Sequence, residues 1–154
     1  MGKEQMSTWI DAKITEEKER RDSILRFKAA FESFLNELTP KLEAELKPFR
    51  EHFPNDKVRW VPIFPGGIVE LHHEFSAKTS ATVTLSADAV RRLFLIRFSL
   101  SPHCSREIPA ELVDGKLSLD LNAVGIPPGG LAEYILLPVL FPGLVNNPAA
   151  LDNL

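Results

Sequence analysis

The segment Glu70-Leu71-His72-His73-Glu74 gathers the side chains best suited to chemistry in this chain. If the segment is extended, alternation places Glu70, His72 and Glu74 on one face, with Val69, Leu71, His73 and Phe75 on the other. A carboxylate–imidazole–carboxylate row has the donors for a divalent cation, and a carboxylate beside an imidazole can tune it for proton transfer. Neighbours along one strand face lie about 7 Å apart, so a shared metal also needs strand curvature and a ligand from elsewhere. Glu and His are equally at home on the wet side of an amphipathic strand, and that plainer role is the expectation. His73, on the apolar face, is expected to pack in the core.

His103-Cys104 is the second candidate. A thiolate nucleophile needs an imidazole within reach of its sulfur, which adjacent residues seldom arrange, and the surroundings match no cysteine-protease signature. An inert loop thiol is expected. Cys104 is the only cysteine, which rules out an intrachain disulfide and a site built from several thiolates. The pairs Gly66-Gly67 and Gly129-Gly130 lack the spacing of a dinucleotide or phosphate loop, and neither Gly-x-Ser-x-Gly nor His-Glu-x-x-His occurs. No cofactor, no resident metal and no catalytic residue is therefore expected with assurance.

Charge excludes other classes. The chain has 154 residues and a formal net charge of −3, without a stripe of Lys and Arg. Arg91, Arg92 and Arg97 could receive an acidic partner, but three arginines do not make a phosphate-binding surface, so nucleic acid is not expected. The first residues contain no apolar run of the secretory type. The longest apolar stretch, Tyr134 to Leu144, is interrupted by Pro138, Pro142 and Gly143 and is too short to span a bilayer. A cytoplasmic protein with no membrane partner is expected.

These residues must be positioned by a scaffold whose two parts differ in charge. Up to Lys57 there are 11 basic and 12 acidic residues; the whole chain has 18 and 21. Ile24, Phe27, Phe31, Phe34, Leu35 and Leu38 recur at spacings of three and four, predicting a long helix with one apolar stripe from about Ser7 to Leu38. Thr39-Pro40 reads as a new N-cap and first turn, predicting a short second helix that carries Leu42, Leu46, Phe49 and Phe53. The period then changes to two. Strands are expected at Val58–Phe64, at an edge because of Pro62, and at Ile68–Ser76, Ala81–Ser86 and from Leu93. Asp114-Gly115 predicts a tight hairpin turn, with Leu117, Leu119 and Leu121 alternating after it. Leu131 to Phe141 is expected to be an apolar helix.

The fold expected is α+β in one domain: a helical arm over 7–53, an antiparallel sheet of five or six strands over 57–122, a helix over 130–142 and a tail over 146–154. Leu93 and Leu95 make the outer side of their strand apolar, so both sheet faces are expected to be covered, by a helix or by a second chain. That surplus points to an interaction or assembly module, homodimeric, with Leu93, Leu95, Phe31, Tyr134 and Leu137 as interface candidates. The alternative is a ligand-binding protein or metal-dependent enzyme that uses the Glu70, His72 and Glu74 face.

Overall fold

The structure, a computed structural model, describes residues 2–63, 68–76 and 79–145. The tail expected over 146–154 lies outside the described residues. One helix, α1 (Gly2–His52), is followed by six strands: β1 (Lys57–Ile63), β2 (Ile68–Ser76), β3 (Thr79–Asp88), β4 (Leu93–Phe98), β5 (Arg106–Val113) and β6 (Lys116–Leu119). Two short helices, α2 (Leu131–Leu140) and α3 (Pro142–Val145), close the described chain. The sheet is antiparallel throughout and its spatial order is the chain order, β1 to β6. This is the expected α+β arrangement, with β1 at an edge as Pro62 implied.

Alternation decides what each strand buries. Leu71 and His73 on β2, Ala81, Val83 and Leu85 on β3, Phe94, Ile96 and Phe98 on β4, and Ile108 and Ala110 on β5 are all buried on one face. Against them α1 lays Phe31, Leu35, Leu38, Leu42, Leu46 and Phe49, and α2 adds Ile135, Leu136, Val139 and Leu140. The rings of Phe31 and Phe34 both lie 5.6 Å from Phe94, one tilted and one edge-on. Phe27 forms a smaller cluster with Ala89 and Ala110, flanked by Ile24 and Leu112. The β5–β6 turn follows its sequence: Asp114 and Gly115 both have positive φ, 52° and 77°, as a two-residue hairpin turn requires.

Two expectations need correction. The short second helix does not begin afresh at Thr39; residues 39–52 are helical but continuous with the first part, through Pro40 and Pro48. Proline removes one backbone donor, so the Asn36 carbonyl loses its helical partner, and that side of the helix faces water. The Thr39 hydroxyl donates to the Leu35 carbonyl at 2.7 Å. Leu38 and Leu42, on either side of Pro40, are both buried in the main core, so packing holds the axis where local propensity would break it.

The second correction concerns coverage. Among the described residues, the apolar side chains of α1 and α2 meet one sheet face only. The other face carries Glu70, His72, Glu74, Thr82, Thr84, Ser86, Leu93, Leu95 and Arg97, and neither leucine belongs to a core cluster. Two leucines among Thr, Ser, Glu and Arg leave a mostly polar surface, so it is the helical cover that is corrected.

Pro40 gives a direct test of this account. Pro40→Ala restores the missing donor on a helix whose course is already set by packing, and stability is expected to rise by about 1–3 kcal/mol. Urea unfolding of the two proteins measures it; a less stable variant would show that the helix depends on a bend at Pro40.

Candidate functional site

On the outer face of the sheet, strand register brings Glu70, Thr84 and Arg97 into one row across β2, β3 and β4, with His72 in the next row between Arg59 and Thr82. His72 Nε2 lies 2.7 Å from Glu70 Oε2, and the Thr84 hydroxyl donates to Glu70 Oε1 at 3.3 Å. Glu74 does not join them; its carboxylate lies 3.6 Å from Arg59. The expected row of three therefore resolves into a pair and an outlier. Among the described residues no group of three or more His, Cys, Asp and Glu is placed to hold a metal ion. What remains is a hydrogen-bonded carboxylate–imidazole pair, able in principle to pass a proton, on an open sheet surface.

Two recesses lie elsewhere. One is an open groove of about 500 Å³ along α1, lined by Pro40, Glu43, Ala44, Lys47, Arg50 and Glu51. The other, about 430 Å³, opens where β4 and β5 diverge, between Arg97, Phe98, Pro102 and Arg106. Neither includes Glu70 or His72, so the pair gains no enclosure from them. His103 is exposed and Cys104 half-buried against the core, in the 3₁₀ turn Pro102–Cys104. Tyr134 donates from its hydroxyl to the Cys104 carbonyl at 2.8 Å, so the aromatic ring expected at an interface fastens α2 to this turn.

His73 is buried on the core face, as its register required, and both ring nitrogens are engaged. Nδ1 lies 2.8 Å from the Val139 carbonyl oxygen, and Nε2 lies 2.8 Å from Asp56 Oδ2. A carbonyl only accepts, so Nδ1 carries a hydrogen and donates it. Val139 sits in the last turn of α2, where carbonyls lack helical partners, and His73 thus satisfies a helix end with a side chain from the sheet. The ring is held edge-on to Phe49 at 5.2 Å. These bonds make it a junction between α2, β2 and the β1 turn.

A second polar cluster was not foreseen from the sequence. Glu43 accepts from Arg50 through one oxygen and from the Trp60 indole through the other, the latter at 2.8 Å. Arg50 also donates to the Val58 carbonyl of β1 at 2.9 Å. Burial pushes the Glu43 carboxyl up, but the hydrogen bonds from Arg50 and Trp60 outweigh it and hold the group below the ordinary carboxylate value. The seven-residue spacing of Glu43 and Arg50, two turns apart on one helix face, was the available signal; the Trp60 partner was not.

The interface candidates are dispersed. Phe31 is buried in the core, Leu93 and Leu95 are half-buried on the outer sheet face, and Leu137 is 37% exposed. The most exposed apolar groups of α1 lie before its stretch of core packing or at its start: Trp9 at 65%, Ile10 at 44%, Ile14 at 46% and Leu25 at 64%. From Thr8 to Asp22 no residue belongs to either core cluster. The ion pairs Lys13–Glu16, Glu17–Arg20, Glu17–Arg21 and Asp22–Arg26 run along the helix itself. The two arginines hold Glu17 well below its ordinary value, at about 2.

The Glu43 cluster predicts a particular response to acid. A carboxyl depressed in the folded state stabilises the fold above its ordinary value, and that contribution fades as pH falls through the depressed one. Melting temperature followed downward from pH 6 is expected to fall less steeply for Glu43→Gln than for the parent chain. Equal slopes would mean that Glu43 carries none of the acid sensitivity.

No helix among the described residues is long and apolar enough to cross a membrane. Comparison with family models, with curated proteins and with solved structures finds no match for this chain.

Proposed function

We propose that this protein is an interaction module that assembles through the overhanging half of α1, with a second copy of the chain as its occupant. The single observation that carries the reading is the exposed apolar line on that overhang. At about 100° per residue, Ile10, Ile14 and Leu25 fall within an arc of about 60°; Ile14 and Leu25 lie well round the helix from Phe27 and Phe34, which face the sheet, while Ile10 lies only about 60° from Phe31. The line therefore runs beside the sheet-facing stripe, and all three of its side chains are exposed.

Energetics favour an occupant. The overhang is roughly 30 Å long, and a helix of that length without tertiary packing is marginal in water. Its ion pairs are exposed and add only about 0.2–0.5 kcal/mol each. Two helices about 10 Å wide, touching along ~22 Å between Ile10 and Leu25, share a footprint of roughly 440 Å² counted over both, which is the small, transient end of the interface range. The outer sheet face, with its Glu70–His72 pair, is left free by this arrangement.

Sedimentation velocity across the micromolar range tests the proposal. The chain is expected to pass from monomer to dimer, and Ile10→Glu/Ile14→Glu to stay monomeric while melting like the parent at dilutions where the parent is itself monomeric, because neither side chain belongs to a core cluster. A parent chain that sediments as a monomer at high micromolar concentration, or a double variant that still dimerises, would overturn it.

A further inference from the structure

The geometry points to one register for that pairing: the two overhangs run antiparallel, with the tip of each on the root of the other. This rests on the proposed self-association and goes beyond it by fixing which residues meet. One face of the overhang, which is exposed almost all round, reads Ile10, Ile14, Lys18, Arg21, Leu25, a continuous stripe at helical spacing. Its apolar members lie towards the two ends and its charged members lie between.

Placing Ile10 of one copy against Leu25 of the other sets the rest by symmetry. Ile14 meets the aliphatic stem of Arg21, whose head already reaches Glu17 at 3.0 Å on its own helix. At the two-fold axis Lys18 of each copy meets Glu17 of the other, giving two identical opposite-charge contacts from one surface. From Lys13 to Asp22 the overhang carries four basic and four acidic side chains, so the central block is neutral and self-complementary. A parallel pairing instead stacks Lys18 on Lys18 and Arg21 on Arg21, and loses both cross-helix contacts. A register that centres on Ile14 faces Ile10 with Lys18 and leaves Leu25 uncovered. Of these registers, the tip-on-root one covers Ile10, Ile14 and Leu25 while opposing unlike charges, with Trp9 lying off the stripe.

The antiparallel register also fits the anchorage of the root. Arg92, in the β3–β4 turn, donates to the Ser23 hydroxyl, on the side of the helix opposite Ile14, and Phe27 begins the packing on Ala89 and Ala110. Each root is therefore braced from behind, and its Leu25 presents a rigid surface to the incoming tip. The two sheets then stand at opposite ends of the paired helices.

Cross-linking reads the register directly. In a Cys104→Ser background, copies bearing Ile10→Cys are mixed with differently tagged copies bearing Leu25→Cys, under conditions where sedimentation shows that the variants still pair. Oxidation is expected to yield the mixed dimer and little of either self-linked dimer, since a disulfide needs Cα atoms within about 7 Å. Self-linked Ile10→Cys or Leu25→Cys dimers, or no cross-link between chains that pair, would overturn the register while leaving self-association intact. A parent chain that is monomeric removes both readings. Should the cysteine variants fail to pair, charge reversal decides: Glu17→Lys is expected to weaken the parent dimer about tenfold, and Glu17→Lys/Lys18→Glu to restore it. A double variant as weak as the single one overturns the register.

Discussion

The core of this protein depends on one long apolar stripe being pressed against one sheet face. Phe31, Leu35, Leu38, Leu42, Leu46 and Phe49 all project from α1 onto strands whose alternating residues have already sorted themselves into an apolar and a polar side. Much else follows from that pressing. It carries the helix through two prolines that would end it elsewhere, because burying the leucines around Pro40 outweighs one missing donor. It leaves α2 to fill the remaining end of the same face, and it commits His73 to a buried position where both nitrogens must find oxygen partners.

A one-sided core makes the remaining surfaces intelligible. The outer sheet face carries largely Thr, Ser, Glu, His and Arg, and its Glu70–His72 bond is a local arrangement on that polar surface. The overhang of α1 is different in kind. It is a helix whose polar sides carry ion pairs along the helix itself and whose apolar line, among the described residues, joins neither core cluster. Most of a helix's stability comes from tertiary packing of an apolar face rather than from intrinsic propensity.

Much of the architecture was legible because period and turn chemistry act locally. The change from a spacing of three and four to a spacing of two marks the α1–β1 boundary, and Asp114-Gly115 marks the β5–β6 hairpin. Thr39-Pro40 misled because N-cap chemistry is local, while the force that keeps the helix continuous comes from strands far along the chain. Leu93 and Leu95 misled in the same way: an apolar pair on one strand says nothing of the polar strands that register brings beside it. The Glu70, His72 and Glu74 row was correctly placed on one face, yet strand neighbours decided its fate, since Arg59 on β1 draws Glu74 aside. The Ile10 and Ile14 pair stood in the sequence ahead of the charge run. Its meaning depended on where the body begins, which only packing reveals.

The Glu43–Arg50–Trp60 cluster has a consequence for how this sheet behaves in a crowd of its own copies. β1 is an outermost strand, and an outermost strand offers unpaired backbone groups to any extended chain that drifts past. Arg50 already occupies the Val58 carbonyl, and Glu43 ties the Trp60 indole to α1. The end of the long helix thus stands guard over the seam along which sheets of neighbouring molecules would otherwise zip together. In this chain the end of the helix that packs on the sheet also shields the sheet's outermost strand.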